Sequence, residues 1–144
     1  MFFSNQWMVW ALLSAFFAAM TAIFAKIGIR NVDSDMATLL RTAIIMLVLI
    51  AFVWRAGKWQ NPLELSAKTW IFLTLSGLAT GASWVCYFRA LQAGPASQVA
   101  PIDKLSLVLV GIFAVVFLDE RPGLREWAGI AMVAGGVLLL AFKR

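Results

Sequence analysis

Five apolar runs, each 16 to 20 residues long, take up most of this chain: residues 7–24, 36–54, 70–88, 99–118 and 127–142. About 20 apolar residues are what a helix needs to cross the hydrocarbon core of a bilayer. Inside lipid every backbone N–H and C=O must find its partner within the protein, which admits only helices or closed barrels. The runs lack the period-2 alternation of barrel strands, so they predict an all-α integral membrane protein with five transmembrane helices. Composition agrees, because 62% of the residues are hydrophobic and 13% charged, against roughly 45–50% apolar in a soluble domain. One membrane domain over residues 1–144 is expected. The opening MFFSNQ carries no Lys or Arg and its apolar stretch is too long for a signal-peptide h-region, so the first run is read as a span.

The net charge of +5 comes from 12 Lys and Arg against 7 Asp and Glu. These charges lie in short bunches between the runs and form no basic face, which argues against nucleic acid. With no His and the single Cys86, zinc, haem and disulfide frameworks are excluded. No cofactor and no metal are expected, and without His no nucleophile–base pair can be assembled for an enzyme. Cys86 reads as a small buried apolar residue.

The connectors at residues 31–35, 57–62, 93–97 and 119–123 are short and hold the turn formers expected between helices. Trp7, Trp10, Trp54, Trp59, Trp70 and Trp127 fall at or near span ends, the headgroup level that indoles favour. Trp84 lies just past the centre of the third span, where that explanation fails.

Five spans put the termini on opposite faces. The N-terminal face holds Arg55, Lys58, Lys68, Arg121 and Arg125, and the other holds Lys26, Arg30, Arg89, Lys143 and Arg144, with Arg41 and Lys104 about a turn inside. So even a distribution gives little orientation preference. Two oppositely inserted copies would then be related by an in-plane two-fold axis, the symmetry of inverted repeats in secondary transporters. The alternative is one-way insertion decided by one or two flanking charges.

Because spans one and three end where spans two and four begin, Lys26, Arg41, Arg89, Asp103 and Lys104 are expected near one boundary, with Arg30, Asp33 and Asp35 just outside. Ionisable groups at such depth normally face a bundle interior or a wet cavity. Neighbours on a helix project about 100° apart, so Arg41 is the expected partner of Asp103 in preference to Lys104. Arg41, Asp103 and Lys104 read either as a gate or charge site, with Asp103 as a titratable coupling group, or as a structural ion pair with snorkelling basic side chains.

In the third span Gly77 and Gly81 form a small-xxx-small pair suited to close helix approach. Thr80, Ser83, Trp84 and Tyr87 follow at i, i+3, i+4 and i+7, one polar and aromatic stripe. It can line a substrate path and hold a flat or cationic ligand, or simply pack between helices. Pro95 and Pro101 at the start of the fourth span either interrupt it, freeing backbone groups for a ligand, or serve as ordinary helix initiation. The fifth span carries Gly129, Gly135 and Gly136, small residues suited to a dimer seam or to an internal contact.

These residues together resemble a single EamA-type repeat of the drug/metabolite transporter superfamily. The resemblance rests on TAIFAKIG at 21–28, Arg41-Thr42, the block SGLATGASWVCYFRALQAGPASQVAPIDKLS at 76–106, and FLDERP before a Gly-rich last helix. It covers essentially the whole chain. It implies a secondary active transporter of the bacterial or archaeal cytoplasmic membrane, moving small metabolites or drugs, often outward. Most members carry two repeats and ten helices; one repeat implies that two copies pair, and an antiparallel homodimer is the symmetric way to rebuild the ten-helix bundle. The related four-helix exporters use an acid in their first helix, which is absent here and leaves Asp103 as the span-embedded acid. Flipping of a lipid-linked sugar or amphiphile, or service as a non-transporting subunit of a heteromeric complex, are the alternatives.

Overall fold

The computed structural model describes residues 6–141; Phe142, Lys143 and Arg144, which enter the fifth-span boundary and the charge count, lie outside them, as does most of MFFSNQ. Among the described residues, six α-helices and one short 3₁₀ turn follow in order: α1 (Gln6–Gly28), α2 (Ser34–Arg55), the turn at Pro62–Glu64, α3 (Ala67–Ala93), α4 (Ala96–Asp103), α5 (Ser106–Leu118) and α6 (Leu124–Ala141). The described residues contain no strand. Five of these segments are long and apolar enough to cross a membrane: α1, α2, α3, the combined stretch Ala96–Leu118, and α6. The five expected spans are therefore present.

The helices outrun the apolar runs. α3 has 27 residues, which at 1.5 Å per residue reaches about 40 Å, the full bilayer with its headgroup zones. Hydropathy marks where a segment leaves hydrocarbon, whereas the helix continues until a cap or a breaker stops it. Lys26 thus lies in the last turn of α1, and Arg89 lies just before the last turn of α3.

Local chemistry sets the ends. Asp33 caps α2, its side chain accepting from the N–H groups of Asp35 at 2.9 Å and Met36 at 3.2 Å, which satisfies first-turn donors. Gly57, at φ 64°, follows the end of α2 in the left-handed conformation that glycine adopts without strain. Ser66 receives the Thr69 N–H at 3.1 Å ahead of α3, and the Trp70 indole N–H reaches the Pro62 carbonyl at 3.1 Å, tying the 3₁₀ turn to α3. The Glu126 carboxylate accepts from the Gly123 N–H at the start of α6.

The fourth span is interrupted nearly half-way along, not at its first turn. Pro95 stands at the N-cap of α4 and Pro101 lies inside it, where it has no N–H to give to the Ser97 carbonyl four residues back. From there the chain tightens to i→i+3 bonds, from Lys104 to Pro101 at 2.9 Å and from Leu105 to Ile102 at 3.0 Å. α5 starts only at Ser106.

The chain divides into two compact units. One comprises residues 23–93, with the end of α1, α2 and α3; α2 packs on α3, and Ile29, Phe88 and Leu91 are its buried apolar residues. The other comprises residues 6–22 and 94–141, in which α6 packs on α4 and α5. Gly111 is the close approach there: a Cβ on it would stand 3.0 Å from Ile130 Cδ1 and 3.7 Å from the Trp127 ring. Large apolar side chains such as Leu12, Phe16, Ile44, Leu47, Phe72 and Leu78 remain exposed on the chain, as expected of surfaces that lipid or another membrane helix covers.

Candidate functional site

The 23–93 unit holds an open groove of about 650 Å³ between α2 and α3, within the range of about 300–1,000 Å³ typical of small-molecule sites. From α2 it is lined by Asp35, Thr38, Leu39 and Thr42, and from α3 by Leu73, Ser76, Gly77, Thr80, Gly81, Trp84 and Val85. The α3 positions recur every three or four residues, so one face of that helix forms the wall. Each threonine hydroxyl is turned onto its own helix. Thr38 donates to the Ser34 carbonyl at 2.8 Å, Thr42 to Thr38 at 2.7 Å and Thr80 to Ser76 at 2.8 Å, the local back-bond open to such side chains.

Asp35 stands at the groove in the first turn of α2 and is bound by Arg89 in a two-pronged ion pair, Nε to Oδ1 at 2.9 Å and Nη2 to Oδ2 at 2.5 Å. Both side chains stay about half exposed on the chain, 63% for Arg89 and 48% for Asp35. Nearby, Lys26 donates to the Leu91 carbonyl and Gln92 to the Val32 carbonyl at 3.2 Å. The Arg41 guanidinium lies 4.5 Å from the centroid of Trp84 and 5.3 Å from that of Phe88, inside the roughly 6 Å reach of a cation–π contact. Tyr87 meets Phe88 edge to face at 6.4 Å.

Of the stripe read from sequence, Thr80 and Trp84 line the groove, while Ser83 and Tyr87 are not among its walls. Trp84 already has a cation on its face, supplied by the chain itself. Gly77 and Gly81 open the groove: nothing described lies within 4 Å of a Cβ at either, nor at Gly135. The close helix approach occurs at Gly111, which sequence spacing did not single out. Cys86 is exposed, correcting the expectation that it is buried.

Asp103 pairs with Lys104, Nζ to Oδ2 at 3.1 Å, which corrects the expected pairing with Arg41. The 100° rule presumes an unbroken helix. α4 stops at Asp103, and past that stop the four-carbon stem of Lys104 swings its ammonium back to the carboxylate.

Asp35, expected just outside the charged boundary and given no site role there, is the acid that lines the groove. Its signal was available: an acid in the first turn of α2 and an arginine near the end of α3, two ends already assigned to one face. A second groove of about 470 Å³ runs between α5 and α6 near their connection, lined by both charge signs, Glu120, Arg121 and Glu126, together with Gly111 and Ala114.

Residues 5–142 match the EamA-like transporter family. The chain belongs to that family. It is 57% identical over 138 residues to an uncharacterized transporter encoded in the cobO 3' region of Sinorhizobium sp, covering 96% of this chain and 98% of that protein. It is 29% identical over 137 residues to the uncharacterized transporter YxxF of Bacillus subtilis (strain 168), covering 94% of this chain and 42% of that protein. A match at 30% identity over 88 residues, 58% of this chain and 75% of the relative, is to the probable 4-amino-4-deoxy-L-arabinose-phosphoundecaprenol flippase subunit ArnE of Yersinia pestis (strain Pestoides F). No solved structure matches. This EamA-like chain is a multi-pass membrane protein of a transporter family and not an enzyme.

Proposed function

We propose that the chain works as a secondary active transporter, exporting small metabolites or drugs across a bacterial or archaeal cytoplasmic membrane by alternating access. The observation that carries this reading is the α2–α3 groove: a ligand-sized, largely apolar recess that also presents a carboxylate and several hydroxyl groups, within a family of transporters. Thr80 and Trp84 line the path, with Ser83 and Tyr87 further along the same helix. Arg41 in the one unit, and the Asp103–Lys104 pair in the other, each serve as gate or coupling charges, and the break after Pro101 gives the fourth span a place to bend, as discontinuous helices do at transport sites.

Two copies form the working unit, inserted antiparallel, with the small residues of α6 around Gly135 available for close approach between helices. The balanced basic residues of the two faces support dual insertion. Two-sided labelling with an impermeant maleimide tests it, using Lys143→Cys in a Cys86→Ala background: about half the molecules should label from outside, and labelling from one side only refutes the antiparallel pair. In vesicles, Asp103→Asn at normal expression should abolish pH-dependent flux; unchanged pH dependence refutes the coupling role.

A second reading has one observation in its favour, the 30% identity to ArnE over 75% of that protein. In it the chain pairs with a different five-helix subunit and its cargo is an amphiphile such as a lipid-linked sugar. Co-purification with such a subunit, together with no flux of any water-soluble tracer, would favour it.

A further inference from the structure

The lining of the α2–α3 groove has a chemical bias. Among the described residues that line it, Asp35 is the one ionisable side chain. A hydroxyl has one proton and two lone pairs; the three threonines of the groove have committed their protons to helix carbonyls, so they offer a ligand lone pairs only. Of the nearby cations, Lys26 donates to the Leu91 carbonyl, and Arg41 lies against the rings of Trp84 and Phe88 without being among the residues that line the groove. The remaining walls are Leu39, Leu73, Val85, the two glycines and the Trp84 ring, which suit an apolar body, together with Ser76, whose hydroxyl can donate or accept.

We infer that this groove takes protonated primary amines carrying an apolar or aromatic body, with the ammonium at Asp35 in exchange for Arg89. This names a substrate class for the transport reading and rests on it. The exchange swaps one cation for another at the carboxylate, so no charge is stranded. The pair that must open is about half exposed, which limits its strength, although its two-pronged geometry places it among the stronger exposed pairs. The positive end of α2 does not oppose the ligand, because the Asp33 carboxylate takes up its first-turn N–H groups. An ammonium of three N–H donors can bond to Asp35 and still have donors left for Thr38, one turn further along α2, whereas a trimethylated ammonium has no donor to give, and a carboxylate would meet the like charge of Asp35.

Equilibrium dialysis of the purified full chain in detergent with phenethylammonium, its N-trimethyl analogue and 3-phenylpropionate tests this. Phenethylammonium should bind and the carboxylate should not, with the trimethyl analogue several-fold weaker than phenethylammonium. Asp35→Asn should weaken phenethylammonium by about tenfold or more, the worth of a charge-assisted hydrogen bond. Arg89→Gln, which a merely structural ion pair would make harmful, should tighten it by about two- to fivefold, the most that an exposed ion pair withholds. Equal affinity for the trimethyl analogue, unchanged affinity in Asp35→Asn, preference for the carboxylate, weaker binding in Arg89→Gln, or no binding of any probe each overturns the inference. Flux in vesicles without amine binding would defeat this assignment and leave the transport reading standing; amine binding without flux of any substrate would do the reverse.

Discussion

Removing the Trp84 ring should cost stability through Arg41, and the two residues should be energetically coupled. The guanidinium sits 4.5 Å from the Trp84 centroid, and cation–π contacts are worth about 0.5–1 kcal/mol when exposed and about 2 when desolvated. Arg41 is half-buried on α2, and Phe88 at 5.3 Å shares the cation, so about 1 kcal/mol is assigned to the Trp84 pairing, a factor of about 5 in the unfolding equilibrium. The perturbation is a double-mutant cycle of Trp84→Leu and Arg41→Met, the second keeping an apolar stem without the charge. Reversible unfolding in mixed micelles by SDS titration, followed by far-UV circular dichroism, reads each corner. Independent sites add to within about 0.3–0.5 kcal/mol, so a coupling energy inside that scatter refutes the stack. Trp84→Phe should keep part of the coupling, since the smaller ring has a weaker face, and Arg41→Lys should lose part of it because an ammonium does not stack.

Two further outcomes follow from local geometry. Gly111→Ala should leave stability within about 0.5 kcal/mol, because the 3.0 Å contact is to the flexible tip of Ile130 and alanine gains about 0.8–1 kcal/mol of helix propensity; Gly111→Leu should lose about 1–3 kcal/mol by overpacking, with part regained in Gly111→Leu/Ile130→Ala, and a Gly111→Leu chain as stable as the parent in the SDS titration refutes the close approach. Asp33→Ala should cost about 1 kcal/mol through loss of the α2 cap, while Asp33→Asn should retain most of it; equal stability of all three in the same titration would show that the cap contributes nothing.

The spans were more legible in the sequence than the site. Lipid imposes two local conditions on a span, an apolar length and backbone bonds made within the segment, and both are read along the chain without knowing what packs on what. Helix ends were less legible, since Lys26 and Arg89 continue α1 and α3 beyond the apolar limit. Trp84 was conspicuous for its depth, and Thr80 for its place on the same stripe, but neither fact reveals that α2 delivers Arg41 onto the indole. The Asp103 pairing departs from the 100° expectation for a local reason: α4 ends at Asp103 after Pro101, and the spacing presumes an unbroken helix.

By itself, then, the sequence determined the membrane class, the helical form, the five spans, the place where the fourth could break, and the absence of His-based chemistry. These depend on composition and on interactions within a few residues. The tertiary structure alone decided that Asp35 meets Arg89, 54 residues away, that Arg41 spends its charge on aromatic rings, and that threonine lone pairs face a groove. The physical reason is register: which turn of α2 lies against which turn of α3 is set by the summed packing of both faces, and no short stretch of either helix contains that sum.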